Sequence, residues 1–200
     1  MDFGICKLSQ NSHSKINKEH YGYLGTSFVL TFIIIVFISI TQSATGRLTD
    51  TEIRHLCSKT NNSGGCYKLL KSDPRTANVD ARGLAEVSID LASKRANIIH
   101  SLINSLVNAT HDSQLKNIYK SCSSNYNDVI RDLKVIRNYI KSGAFKNIHV
   151  QVKDAYEEVK QCKKVFGGAT SDGAHIKKTN QEFEFLISIV EVTSNNLYKN

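Results

Sequence analysis

Between Leu115 and Ile140 the apolar residues Leu115, Ile118, Cys122, Tyr126, Val129, Leu133, Ile136 and Ile140 follow one another at steps of three or four without interruption. At 3.6 residues per turn such spacing puts them all on one side of an α-helix. A helix of this length with one apolar face must lay that face against other elements, because packing rather than propensity supplies most helical stability. The chain is thereby committed to helix-on-helix packing. Three further stripes have the same period. Leu84, Val87, Leu91, Ile98, Leu102 and Leu106, broadened by Ile99 and Ile103, predict a helix over 80–107. Ile148, Val152, Ala155, Val159, Cys162 and Phe166 predict another of about five turns, and Ile176, Phe183, Leu186, Ile187, Val190 and Leu197 a fourth.

The breaks between these stripes are short: Asn108 to Asp112, Ser142-Gly143, and Gly167-Gly168 with Ser171-Asp172-Gly173. Asp112 is placed to cap the helix that follows it. Short connections make sequential helices antiparallel neighbours, so the expected fold is all-α, an antiparallel up-down-up-down four-helix bundle over 73–200. Pro74 is the single proline, in a Ser72-Asp73-Pro74-Arg75 break that separates the bundle from an N-terminal unit at 47–72. Within that unit Ile53, Leu56 and Cys57 make one small stripe, and Cys66, Leu69 and Leu70 another. Asn61-Asn62-Ser63-Gly64-Gly65 between them is a turn composition. Helices this short are marginal alone, and a Cys57–Cys66 bridge would hold them as a stapled hairpin. The hairpin, outside the bundle, is a candidate partner-facing arm.

Residues 1–46 form a different kind of segment. Leu24 to Ile40 carries no charge, a polar stretch with Lys7, Lys15 and Lys18 precedes it, and small residues follow at Ser43, Ala44 and Gly46. This is a signal-peptide layout with cleavage near 43–46. The apolar run sits at the lower limit for a spanning helix, about 17–25 residues, so a cleaved leader is favoured over a retained anchor. Cys6 leaves with the leader, and Cys57, Cys66, Cys122 and Cys162 remain. Four thiols in an oxidising compartment read as two disulfides with three connectivities open. Cys122 and Cys162 lie on the buried stripes of successive helices, which favours Cys57–Cys66 with Cys122–Cys162.

The chain carries a formal charge of +8, and residues 1–46 hold three lysines against Asp2 and Glu19, so removing their net of one leaves +7. Its cations are scattered singly among acids and amides, without a basic run or a stacking platform, which argues against nucleic acid as a partner. No phosphate loop, nucleophile elbow, His-x-x-x-His or Cys-x-x-Cys pair follows the leader. His55, His100, His111, His149 and His175 fall on different elements, so no metal site and no cofactor is expected. Asp154, Glu157 and Glu158, and likewise Glu182, Glu184 and Glu191, fall off the apolar stripes and read as solvated faces rather than catalytic carboxylates. The chain is read as a non-enzyme. Two sequons, Asn61-Asn62-Ser63 and Asn108-Ala109-Thr110, fall in expected loops and make Asn61 and Asn108 candidates for N-glycosylation.

Taken together, the leader, Cys57 and Cys66, Leu69-Leu70-Lys71-Ser72-Asp73-Pro74, Cys122-Ser123-Ser124-Asn125-Tyr126, and Cys162 ahead of Phe166 resemble the pattern of the plant invertase and pectin methylesterase inhibitors over Ile53 to Leu197. The resemblance implies a hairpin-plus-bundle fold with the bridges favoured above. It also implies inhibition of a cell-wall carbohydrate-active enzyme, a pectin methylesterase or an acid invertase, by a tight complex formed in the apoplast. A basic surface there would also favour weak contact with acidic wall polysaccharide, with no membrane partner once the leader is gone. Two segments depart from the family. Pectin methylesterase inhibitors commonly carry a Ser-Ala-Ala-Leu-Thr-like stretch where this chain has Val152-Lys153-Asp154-Ala155-Tyr156. Invertase inhibitors can present Pro-Lys-Phe where this chain has Gly143-Ala144-Phe145-Lys146. Phe145 and Lys146 are therefore candidate target contacts, and a non-inhibitory secreted binding or structural module on the same scaffold is the alternative.

Overall fold

The computed structural model describes residues 46–166 and 175–198, and all regular structure among them is helical. The leader at 1–46 therefore lies almost wholly outside the described residues, as do the breaks at 167–168 and 171–173. Two short helices, α1 (Asp50–Cys57) and α2 (Ser63–Ser72), are followed by a 3-10 turn at Pro74–Asn78. Four longer helices come next: α3 (Ala81–Ala109), α4 (Ser113–Ser142), α5 (Ile148–Val165) and α6 (Ile176–Asn195).

Each start has a local chemical cause. Thr49 and Glu52 form a capping box on α1: the Thr49 side chain accepts from the Glu52 amide, and the Glu52 carboxylate accepts from the Thr49 amide at 2.7 Å. Asn62, Asp80 and Asp112 cap α2, α3 and α4 by accepting from the amides of Gly65, Gly83 and Leu115. Asp73 accepts from the Arg75 amide with Pro74 at the first helical position, which explains the Asp-Pro pair. At the far end of α4, Gly143 takes φ 74°, a left-handed conformation that ends the helix.

The four long helices close into a ring in which α3 meets α4, α4 meets α5, α5 meets α6, and α6 returns to α3. Cross-helix pairs fix every neighbour as antiparallel. His100 lies against Ser123 while Arg137 reaches Asp90, and Asn125 bonds Glu158 while Cys122 is bridged to Cys162. Lys163 pairs with Glu184, and Ser88 meets Thr193 while Arg95 meets Glu182. Among the described residues this is the up-down-up-down bundle expected from the sequence.

On α4, α5 and α6 the predicted stripes are the buried ones, with only Leu115, Ile118 and Leu186 partly exposed. On α3 the expectation needs correction. The face turned into the bundle is Ala85, Ile89, Ala92, Ala96, Ile99 and Ile103, whereas Ile98 and Leu102 are 50% and 43% exposed and Leu91 is half-buried. Bulk misled the pattern: three of the six inward positions are alanine, which lets neighbouring backbones approach but marks a stripe poorly.

The hairpin is not a free arm. Ile53, Leu56, Cys57, Cys66 and Leu70 form a second apolar cluster that is completed by Leu84 of α3 and Ile189 of α6. The Leu48 amide also bonds the Val79 carbonyl at 2.9 Å. Its apolar side is therefore occupied by its own bundle, leaving the polar turn at 58–62 as the part that faces outward.

Candidate functional site

The cysteines staple both clusters. Cys57 is bonded to Cys66 with Cα atoms 5.5 Å apart, and Cys122 to Cys162 at 4.6 Å, all four sulfur-bearing residues being fully buried. Beside the second bridge sits a residue no periodicity marks. Asn180 of α6 is fully buried, accepts from the Tyr126 hydroxyl at 2.8 Å and points its Nδ2 at Cys162 Sγ, 3.1 Å away. Burial pushes the Tyr126 hydroxyl well above the ordinary phenol value, so it stays a neutral donor. This trio ties α4, α5 and α6 at their centre.

The α4–α5 connection carries Phe145 and Lys146. The Ala144 amide bonds back to the Tyr139 carbonyl, and Arg82 of α3 donates to the Lys141 carbonyl, so the loop is held from two sides. Phe145 is half-buried against the core, and only Lys146 stands exposed. An apolar and cationic tip is thus reduced to its cation. Asn61 is exposed in the hairpin turn. Asn108, expected in a loop, lies instead in the last turn of α3, also exposed.

The α4–α5 seam holds the least satisfied polar groups among the described residues. Asn125 and Asp132, seven residues apart, stand on the edge of α4 that borders α5. Asn125 donates to Glu158 at 2.6 Å, but its buried Oδ1 accepts no hydrogen bond from the protein. Asp132 is 4% exposed, and its Oδ2 likewise accepts none. Its Oδ1 has only a long contact, 3.4 Å, with Arg131, whose guanidinium is 65% exposed and also serves Asp128. Burial raises the Asp132 carboxyl above its ordinary value; Arg131 opposes the rise, while Asp154 of α5 and Asp128 add to it. Four carboxylates, Asp128, Asp132, Asp154 and Glu158, therefore flank this seam with one arginine, on a chain whose net charge is +8.

A buried acceptor without a donor costs about 1–3 kcal/mol, so Asn125 Oδ1 and Asp132 Oδ2 weigh on the stability of the fold. No three of these groups converge closely enough to hold a metal ion among the described residues. Asn125 Oδ1 and Asp132 Oδ2 are closed to a partner's side chain, and what the seam offers at its rim is the negative charge of Asp128, Asp154 and Glu158, which suits a cationic side chain laid along it. Sequence reading missed these residues because it ranked Glu158 with the solvated acids. The signal present was the seven-residue spacing of two polar side chains beside an apolar stripe.

Residues 51–198 match the family model described as plant invertase/pectin methylesterase inhibitor. The chain belongs to that family, whose members are enzyme inhibitors rather than enzymes. It is 32% identical over 177 residues to a pectinesterase inhibitor of Actinidia deliciosa, covering 88% of this chain and 96% of that one. It is 26% identical over 142 residues to a cell wall / vacuolar inhibitor of fructosidase 2 of Arabidopsis thaliana, covering 68% of this chain and 79% of the other. A crystal structure of a mutant pectin methylesterase inhibitor from Arabidopsis superposes with a TM-score of 0.65 at 24% identity, covering 72% of this chain and 95% of that one, which supports the fold.

Proposed function

We propose that the chain is exported, loses residues up to 43–46, and acts from 47–200 as a protein inhibitor of a plant cell-wall carbohydrate-active enzyme, a pectin methylesterase or an acid invertase, by forming a stoichiometric complex. The reading rests on the family and on one observation above all: Asp128, Asp154 and Glu158 gather their carboxylates along the α4–α5 seam beside the buried Asp132, on a chain whose net charge is +8. The α4–α5 face is the docking surface, and an arginine or lysine of the enzyme meets the carboxylates at its rim. Retention in the wall is aided by weak contact between the basic surface and acidic polysaccharide.

The test begins with the full chain secreted by a disulfide-forming host, its N-terminus sequenced and its bridges mapped without reduction. The recovered protein is titrated against one pectin methylesterase and one acid invertase at acidic pH. Complete loss of one activity near one inhibitor per enzyme names the target class, and Asp154→Lys with Glu158→Lys should weaken that inhibition. Correctly bridged protein that inhibits neither class across several isoforms would make it the non-inhibitory binding module instead, a reading favoured by the departures at 143–146 and 152–156.

A further inference from the structure

On the opposite side of α5 from the acidic seam, the hairpin turn overhangs the channel between α5 and α6 and closes a groove of about 950 Å³. Lys59 enters it from the turn, Lys153 from α5 and Lys178 from α6, and among the described residues none of the three has a hydrogen-bonding or ionic side-chain partner. Of the carboxylates in the same groove, Glu182 is already paired with Arg95 and Glu184 with Lys163, leaving Glu191. Three unpaired ammonium groups thus face one unpaired carboxylate. His149 lines the same wall, with its Nδ1 bonded to the Lys146 carbonyl and its other nitrogen left over.

The rest of the lining is suited to sugar rather than to a compact anion. Tyr156 is 37% exposed, one turn beyond Lys153 on the same face of α5; Lys160 Nζ stands over one side of its ring, 5.4 Å from the centroid, so a sugar would stack on the other. Gln181 and Ser188 on α6, with Asn61 and Thr60 of the turn, intersperse neutral hydrogen-bonding groups among the cations. The cations are strung out instead of converging: at 1.5 Å of rise per residue, the α6 wall from Lys178 to Ser188 is about 15 Å long. A phosphate or nucleotide would call for arginine forks or a nest of amides, and the groove has no arginine.

We propose that this groove is a binding site for a linear acidic oligosaccharide of the polyuronate class, its carboxylates meeting Lys59, Lys153 and Lys178 and one pyranose ring stacking on Tyr156. The site deepens the wall-retention part of the reading above but is separate from the α4–α5 face. The inhibitor can therefore engage a polyuronate chain and its target enzyme on different sides.

Binding is read by calorimetry and by amide shift changes, without any enzyme, using the secreted full chain and a short de-esterified galacturonate oligomer. The same oligomer fully methyl-esterified removes the charge, and dextran sulfate supplies charge without uronate geometry. Lys153→Gln with Lys178→Gln should weaken binding about tenfold, from two contacts each of the size of a partly screened ion pair. Tyr156→Ala should weaken it about fivefold. Lys120→Gln with Lys134→Gln, an equal charge change on α4 with unpaired exposed lysines, should stay within about twofold. Asn61→Gln keeps the groove free of a glycan at its lip. Equal losses in both lysine pairs, equal affinity for the esterified oligomer or dextran sulfate, or no binding of the galacturonate oligomer would each overturn the proposal. Inhibition titrations on the same variants separate its failure from that of the inhibitor reading, because the groove variants leave the α4–α5 face untouched.

Discussion

Replacing Asp132 by Asn should make the protein more stable at neutral pH. Asp132 is 4% exposed, its Oδ2 accepts no hydrogen bond, and its one cation, Arg131, is largely in solvent, where its attraction is screened. The amide removes the buried charge and offers a donor toward the Asp154 side. Recovering part of the 1–3 kcal/mol cost of an unmet buried group should raise stability by about 1 kcal/mol at pH 7, or roughly 3 °C in Tm for a domain of this size. The pH dependence has a definite sign. The folded carboxyl holds its proton more tightly than the unfolded one, near 3.8, so its contribution is most favourable below that value and is lost as pH rises through the raised folded value. The stability gap between Asn and Asp should accordingly open with rising pH and close near pH 4. Asp50, Glu52 and Asp73, whose carboxyls are lowered by hydrogen bonds from Tyr67, Thr49 and Arg75 respectively, act in the opposite sense, but both proteins share them and the difference cancels. Urea unfolding from pH 4 to 7.5 measures the gap. An Asn variant no more stable than the parent at pH 7, or a gap flat with pH, would refute the account of the buried carboxylate.

Replacing both Cys122 and Cys162 by Ala should cost about 4 kcal/mol by loop entropy, since the bridge spans 40 residues, and replacing Cys57 and Cys66 about 2.5 kcal/mol over a span of nine; urea unfolding ranks the two. Hydrogen exchange should confine the second loss to α1 and α2. Asn180→Ala should cost about 2–3 kcal/mol by stranding the buried Tyr126 hydroxyl, and adding Tyr126→Phe should restore part of that loss in a double-mutant cycle. Gly143→Val should cost about 1–2 kcal/mol in thermal unfolding although no atom lies within 4 Å of the added Cβ, because φ 74° is closed to a branched side chain. Asp80→Ala should cost about 1 kcal/mol by uncapping α3.

What could be read along the chain was whatever depends on neighbours three or four residues away. Caps at Thr49, Asn62, Asp80 and Asp112 bond amides three residues on, and the Gly143 stop is a property of one residue's φ. Periodicity fixed the number and type of the long helices and the inward faces of α4, α5 and α6 for the same reason. The inward face of α3 escaped it because the helix carries apolar residues on several sides. Which side is covered depends on α4, α6 and the hairpin, and the close approach of those elements selects Ala85, Ala92 and Ala96 over Ile98 and Leu102. The candidate sites are products of assembly in the same way. Asp132 and Asn125 differ from any other polar residue on α4 only because α5 covers them, and Lys59, Lys153 and Lys178 share a groove only because three distant segments meet there. The chain alone determined the helices and most of their ends, set by local backbone geometry and hydrogen bonding. Burial, and with it the unmet acceptors of the seam and the unpaired cations of the groove, came from contacts between residues far apart in sequence, where no local rule reaches.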